Sequence, residues 1–261
     1  MDLHPGFKYL PALLAQALLL MLLSRLLFQA MVSAFADRKG GGLVTLLRMP
    51  GNIIHETSHA LGYLLFGYRV RHVIFCVFDP KKAGACIRGK PWSPITFPWL
   101  ADGAAALMPL VVGTMALVGA GRAFGIIDHQ AGEPTADIGM FRAVADQFLL
   151  LLGSLDWHQW QTYVFLYAAL TIGAEISPSP TDLRYAIPAL GGITLGLILM
   201  LVSSQHAASL NHMLTTAADW LLPTARRLSG VWGLALVLML ITAAAAIPFA
   251  FVIYTLRPQR R

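Results

Sequence analysis

From Tyr9 to Ala34 the chain runs through twenty-six residues with one charge, Arg25. A stretch this long and apolar has no place in a small water-soluble core, but it matches the roughly 20 residues needed to cross a bilayer. Comparable runs recur at 43–67, 98–120, 157–177, 183–204 and 231–255, which gives six candidate spans. Only 12% of the 261 residues are charged, about half the share of an ordinary soluble domain. The expected fold class is therefore an all-α polytopic membrane protein with about six transmembrane helices, built as a single integral-membrane domain over 1–261. The segment 206–228 carries His206, His212, Asp219, Arg226 and Arg227 around Pro223, and reads as interfacial or re-entrant. Lys8, the apolar run and Ala34-Phe35-Ala36 mimic a signal peptide. The run exceeds the roughly 7–15 apolar residues of such a region, so a retained first helix is expected.

A formal net charge of +6 raises nucleic acid as a partner. The basic residues sit in short connections between apolar spans, where they set orientation in a bilayer, and this argues for no nucleic acid. With six spans, both termini share one side with 68–97 and 178–185. That side holds eleven basic residues and the other holds seven. The excess predicts cytoplasmic termini, most simply in a bacterial inner membrane.

Between the second and third spans, 70–78 (VRHVIFCVF) is rich in β-branched and aromatic residues. Asp79-Pro80-Lys81-Lys82-Ala83-Gly84 supplies a turn, and Ala85 to Arg88 a short return strand. This predicts a small β-hairpin, with Cys76 and Cys86 placed symmetrically about its turn. Residues 138–153 have helical apolar spacing and predict a helix lying along the membrane surface. Gly191, Gly192 and Gly196 predict a close helix contact on the fifth span.

The second span contains His55-Glu56-Thr57-Ser58-His59, an H-E-x-x-H. On a helix, positions i and i+4 share a face, so His55 and His59 can offer two nitrogens to one metal ion. Zinc lowers the pKa of water beside it towards neutrality, and Glu56 stands where a general base would take the proton. This spacing is the helical zinc-protease signature. Ionisable residues in a span cost about 2.5–3.5 kcal/mol each on insertion scales and are functional by default. A polar cluster that only binds helices together is the alternative. A catalytic zinc needs a third protein ligand. Residues 173–185 (GAEISPSPTDLRY) break the backbone at Pro178 and Pro180, which membrane depth tolerates only beside protein or a water-filled cavity. Asp182 sits in this break and Glu175 lies slightly deeper, so either carboxylate can complete a site for one Zn2+ per chain. Asp182 also suits the cap of the following helix.

Together these residues resemble the site-2 protease family of intramembrane zinc metalloproteases, in its small form without PDZ or CBS modules. His55 to Val70 (HETSHALGYLLFGYRV) is similar to that family's zinc helix, with its closing glycine and following strand. Ser177 to Asp182 (SPSPTD) resembles the proline-rich stretch before its third ligand. Leu183 follows Asp182 where the family usually has glycine. The resemblance implies His55, His59 and Asp182 as zinc ligands and Glu56 as the catalytic residue. The implied substrate is a transmembrane protein cut within or beside the bilayer. The rival expectations are a non-catalytic, metalloprotease-like subunit or scaffold of a larger membrane complex and, more remotely, a metal transporter.

Overall fold

The computed structural model describes residues 5–35, 42–75, 84–92, 97–127, 140–204 and 208–256. Seven helices and two strands follow in order: α1 (Pro5–Phe35), α2 (Gly42–Leu65), β1 (Tyr68–Ile74), β2 (Ala85–Pro91), α3 (Pro98–Ala123), α4 (Met140–Ser154), α5 (Trp160–Glu175), α6 (Pro180–Ser204) and α7 (Ala208–Leu256). The architecture is mostly helical, with one two-stranded antiparallel sheet.

Among the described residues, three helices are long and apolar enough to cross a membrane, over Pro11–Ala34, Pro98–Ala123 and Thr215–Thr255. They make this a membrane-protein architecture, but the six spans expected from the sequence are not supported. α5 has only 16 residues, about 24 Å at 1.5 Å per residue, against a hydrocarbon core of about 30 Å. α2 is interrupted by Arg48 and by His55 to His59. The first turns of α6 carry Thr181, Asp182 and Arg184. The interfacial or re-entrant reading of 206–228 is also corrected. From Ala208 onward this segment is one helix with the last apolar run, 49 residues long and continuous through Pro223. Pro223 removes one N–H, and the turns on either side carry the helix across it.

The middle of α7 is the axis of the core. Nearly every residue from Ser229 to Ala243 is buried, on all faces of the helix. Leu20, Leu27 and Met31 of α1 and Phe165 and Ala169 of α5 belong to the same cluster. One polar contact crosses it. The Gln16 amide donates to the Ser229 carbonyl at 3.0 Å, and the Ser229 hydroxyl donates back to Gln16 Oε1 at 3.1 Å. Both partners are fully buried, so each must satisfy the other.

α2 lies between α3 and α5, and glycines bring the backbones together. A Cβ on Gly51 would overlap the Thr171 carbonyl of α5, and one on Gly62 would stand 2.6 Å from Ala105 Cα of α3. A Cβ on Gly103 of α3 would strike Ala189 of α6. Small residues at such crossings let dispersion act between helices where lipid supplies no hydrophobic drive. The expected contact is not found at Gly191 or Gly196, where a Cβ would have nothing within 4 Å among the described residues. Gly192 meets only Trp99.

α2 ends at Gly67, whose φ of 78° turns the chain into β1. β1 pairs with β2 through Tyr68 opposite Pro91, Val70 opposite Arg88, His72 opposite Ile87, Val73 opposite Cys86 and Ile74 opposite Ala85. The predicted hairpin is present, shifted toward the helix. Cys86 faces Val73, while Cys76 and residues 79–83 of the predicted turn lie outside the described residues. The helix predicted over 138–153 appears as α4 from Met140 onward, and residues 138–139 lie outside the described residues.

Gly103→Val should force α3 and α6 apart and cost about 1–3 kcal/mol, the usual penalty of overpacking. Gly191→Val should cost nothing. Unfolding of the two purified variants in detergent checks both.

Candidate metal centre

The two histidines are placed by ordinary helix geometry. His55 and His59 lie one turn apart on α2, with ring centroids 4.7 Å apart and planes at 79°. Both are buried, as are Glu56 and Ser58. The Ser58 hydroxyl returns its hydrogen bond to the Ile54 carbonyl at 2.5 Å and so needs no outside partner.

Each imidazole is fixed by a neighbouring helix. His55 Nδ1 donates to the Glu175 carbonyl at 2.6 Å, and His59 Nδ1 donates to the Ala105 carbonyl at 2.8 Å. A carbonyl oxygen can only accept, so both Nδ1 atoms carry the proton and both Nε2 atoms present lone pairs. These Nε2 atoms stand 3.1 Å apart. Asp182 faces them, with Oδ1 at 3.4 Å from His59 Nε2 and Oδ2 at 3.6 Å from His55 Nε2. One ligand atom from each of the three residues falls within 4.8 Å of the others.

Asp182 is held from its own helix. Ser179 caps α6 and Pro180 takes the first helical position. The Ser179 N–H donates to Asp182 Oδ2 at 2.7 Å, and the Asp182 N–H donates to Ser179 Oγ at 3.2 Å. This is a capping box, S-P-T-D, in which the carboxylate sits three residues inside the cap. Asp182 is therefore not the cap residue expected before Leu183, because the helix starts earlier, at Pro180; it supports the Ser179 cap from inside the first turn while it faces the histidines. α1 steadies the break before it, since the Ser177 N–H donates to the buried Ser24 hydroxyl at 3.0 Å.

Glu175, the alternative third ligand, is not in the cluster. Its carboxylate meets Arg48 Nε at 2.5 Å, and the Arg48 guanidinium lies 4.8 Å from the centre of the Phe28 ring. Glu175 instead orients His55 through its main-chain carbonyl.

The donor set fits a cation. Two inward lone pairs at 3.1 Å repel each other, and a carboxylate opposite them adds negative charge. A shared positive ion satisfies all three groups. Two histidines and one carboxylate serve zinc, and they also serve non-haem iron(II), so the geometry fixes a metal site rather than the metal. Nδ1–H bonds to carbonyls are the usual outer support of such ligands.

Glu56 is next to His55 in the chain and is not one of the three. Gly84, just before β2, lies on its carboxylate: a Cβ there would overlap Glu56 Oε1. Cys86 is close by, where burial, followed by the charge of Glu56, pushes its thiol up to about 11. It stays protonated at neutral pH and is a poor ligand. Asp102 pairs with Arg88 of β2 at 3.2 Å and is hydrogen-bonded by Tyr63 of α2. It ties the hairpin to α2 and α3 and takes no part in the cluster. His72, His158 and His212 are exposed and apart from the site, and Arg25 is exposed on α1. His129 and His206 lie outside the described residues.

Sequence reasoning missed Arg48, Gly51, Gly62 and Gly84. The first three could have been found, because they lie seven and four residues before His55 and three after His59, on the face of α2 that carries both ligands. Gly84 gave no comparable signal.

No family model, curated protein or solved structure matches the chain.

The purified chain is expected to hold one divalent ion. His55→Ala, His59→Ala or Asp182→Ala should each remove it, while Glu175→Gln, which keeps the main-chain carbonyl that holds His55, should change affinity less than about 10-fold, the lower end of the loss of an outer partner. Competition against a chromophoric chelator measures all four. An Asp182→Ala protein with full affinity would reassign the third ligand.

Proposed function

We propose that the chain is an intramembrane zinc endopeptidase, resembling the site-2 protease family, that hydrolyses peptide bonds of membrane-embedded proteins. One observation carries the reading. A buried two-histidine, one-carboxylate cluster, with a glutamate adjacent to the first histidine, sits in a bundle with membrane-spanning helices. Zinc, when bound, would polarise the scissile carbonyl and acidify the attacking water.

The remaining work falls to the protein. His55, His59 and Asp182 would hold the ion. Glu56 takes a proton from the attacking water and delivers it to the leaving amine, so that the free carboxylate is restored after each cycle. Gly84, without a side chain, leaves the Glu56 carboxylate room to receive that proton. The break at 176–179 supplies a polar route for water beside Asp182. A substrate helix must unwind before its amide is reachable. β1 and β2 offer strand edges on which the unwound segment can pair through main-chain hydrogen bonds with little demand on sequence.

The rival is a non-catalytic subunit of a membrane complex. The seating of Gly84 directly on Glu56 favours it, because a covered base suits a structural site. Glu56→Gln separates the two. The amide is nearly isosteric and is not a ligand, so the metal should remain. Cleavage should fall about 10²–10⁴-fold, the usual contribution of a general base. New protein termini inside apolar segments should appear in membranes of cells carrying the wild-type chain and vanish with Glu56→Gln. Identical patterns in the two strains would overturn the protease reading in favour of the scaffold.

A further inference from the structure

The carbonyl that holds His59 belongs to the interior of a helix. Inside an α-helix a carbonyl normally accepts from the N–H four residues ahead. For Ala105 that residue is Pro109, which is buried and has no N–H. A proline ring also crowds the carbonyl four residues before it, tilting that oxygen away from the helix axis. The Ala105 oxygen is thereby released from its own helix and accepts His59 Nδ1–H at 2.8 Å. Gly62 permits the approach, because a side chain there would meet Ala105 Cα at 2.6 Å and Met108 Cγ at 2.8 Å. The other histidine repeats the device by other means. The residue four ahead of Glu175 is Ser179, whose N–H is committed to Asp182 at 2.7 Å, and the Glu175 oxygen accepts from His55 at 2.6 Å.

We propose that Pro109 is a positioning residue of the metal centre. By withholding an N–H from the Ala105 carbonyl, it reserves that oxygen for His59 and so keeps His59 Nε2 as the free, inward-facing lone pair. The inference rests on the metal-site reading, and the experiment separates the two.

Pro109→Ala and Pro109→Ser in the purified full-length protein each restore a donor to α3. Both substitutions are used so that one failing to accumulate does not decide the matter. Zinc affinity is measured by chelator competition, and the unfolding midpoint is measured on chelator-stripped protein. Affinity should fall about 3–10-fold. This is below the usual 10–100-fold loss of an outer partner, because the carbonyl keeps a second lone pair. The midpoint should hold or rise, since proline is the poorest helix former. Pro223→Ala in α7 should change affinity not at all, and His59→Ala should abolish binding. Wild-type affinity in the Pro109 variants, with binding lost in His59→Ala, would overturn the positioning role and leave the metal site standing. A parallel fall in affinity and midpoint would reduce Pro109 to a packing residue and also overturn it. Zinc retained by His59→Ala would sink both readings.

Discussion

The site depends on two hydrogen bonds, from the two Nδ1–H groups to main-chain carbonyls of α5 and α3. Inside an apolar bundle an imidazole N–H without an acceptor is costly, and water is not there to supply one. Each ring must therefore find an oxygen on a neighbouring helix, and helices have few oxygens to spare. The chain obtains one at the end of α5 and one beside a proline in α3. Most other placements near the site follow from bringing those oxygens close. Gly51 and Gly62 remove the side chains that would hold α5 and α3 away, and Arg48 anchors the last residue of α5 from the same helix that carries the rings. The inward direction of both Nε2 atoms follows from where the protons are parked.

The hairpin is the second support and works from outside the bundle. Arg88 joins β2 to Asp102 of α3 at 3.2 Å and covers the Tyr68 ring at 4.8 Å, while Tyr63 of α2 reaches the same carboxylate. The Trp92 N–H returns to the Gly67 carbonyl at 2.9 Å and closes the base of the hairpin. These contacts fix where β2 begins, and it begins over Glu56. A strand anchored there can admit only a residue without a side chain just before its first position, which explains Gly84. The pairing of Asp102 with Arg88 also explains why a carboxylate this near the site is not a ligand.

Much of the site was legible in the sequence, and the fold less so. H-E-x-x-H specifies its own geometry, because the helix period alone brings i and i+4 together. The expected start of α6, with Asp182 as its cap, comes too late, although the capping box from Ser179 to Asp182 is a local pattern. That the same carboxylate faces the histidines is a tertiary fact which spacing cannot give. Span counting failed for a physical reason. Hydropathy reports how apolar a segment is, not how long a helix its neighbours allow, and α5 stops at 16 residues because the Pro178 and Pro180 break follows. Pro223 misled in the opposite direction. A proline costs one hydrogen bond, and a helix of 49 residues packed along much of its length absorbs that loss. The glycine signal on α6 pointed to the right helix but mostly to the wrong positions, because close contact needs a partner surface as well as a small residue. Gly103 has Ala189 opposite it, and Gly191 has nothing.

Asp182 shows how tightly local folding and the site are joined. Its Oδ2 takes the Ser179 N–H at 2.7 Å, and its Oδ1 stands 3.4 Å from His59 Nε2. Capping boxes use the side chain at one position only, so sliding the start of α6 by one residue would move the carboxylate about 100° around the axis, given 3.6 residues per turn. The cap and the site would be lost in the same step. Pro180 guards against that slide, because its fixed φ suits the first helical position and its missing N–H is harmless there. Ser24 adds a second guard from α1 by holding the Ser177 N–H at 3.0 Å. The proline-rich break thus has two consequences with one cause. It ends α5 so that the Glu175 carbonyl is free for His55, and it starts α6 in the one register that turns Asp182 toward the rings.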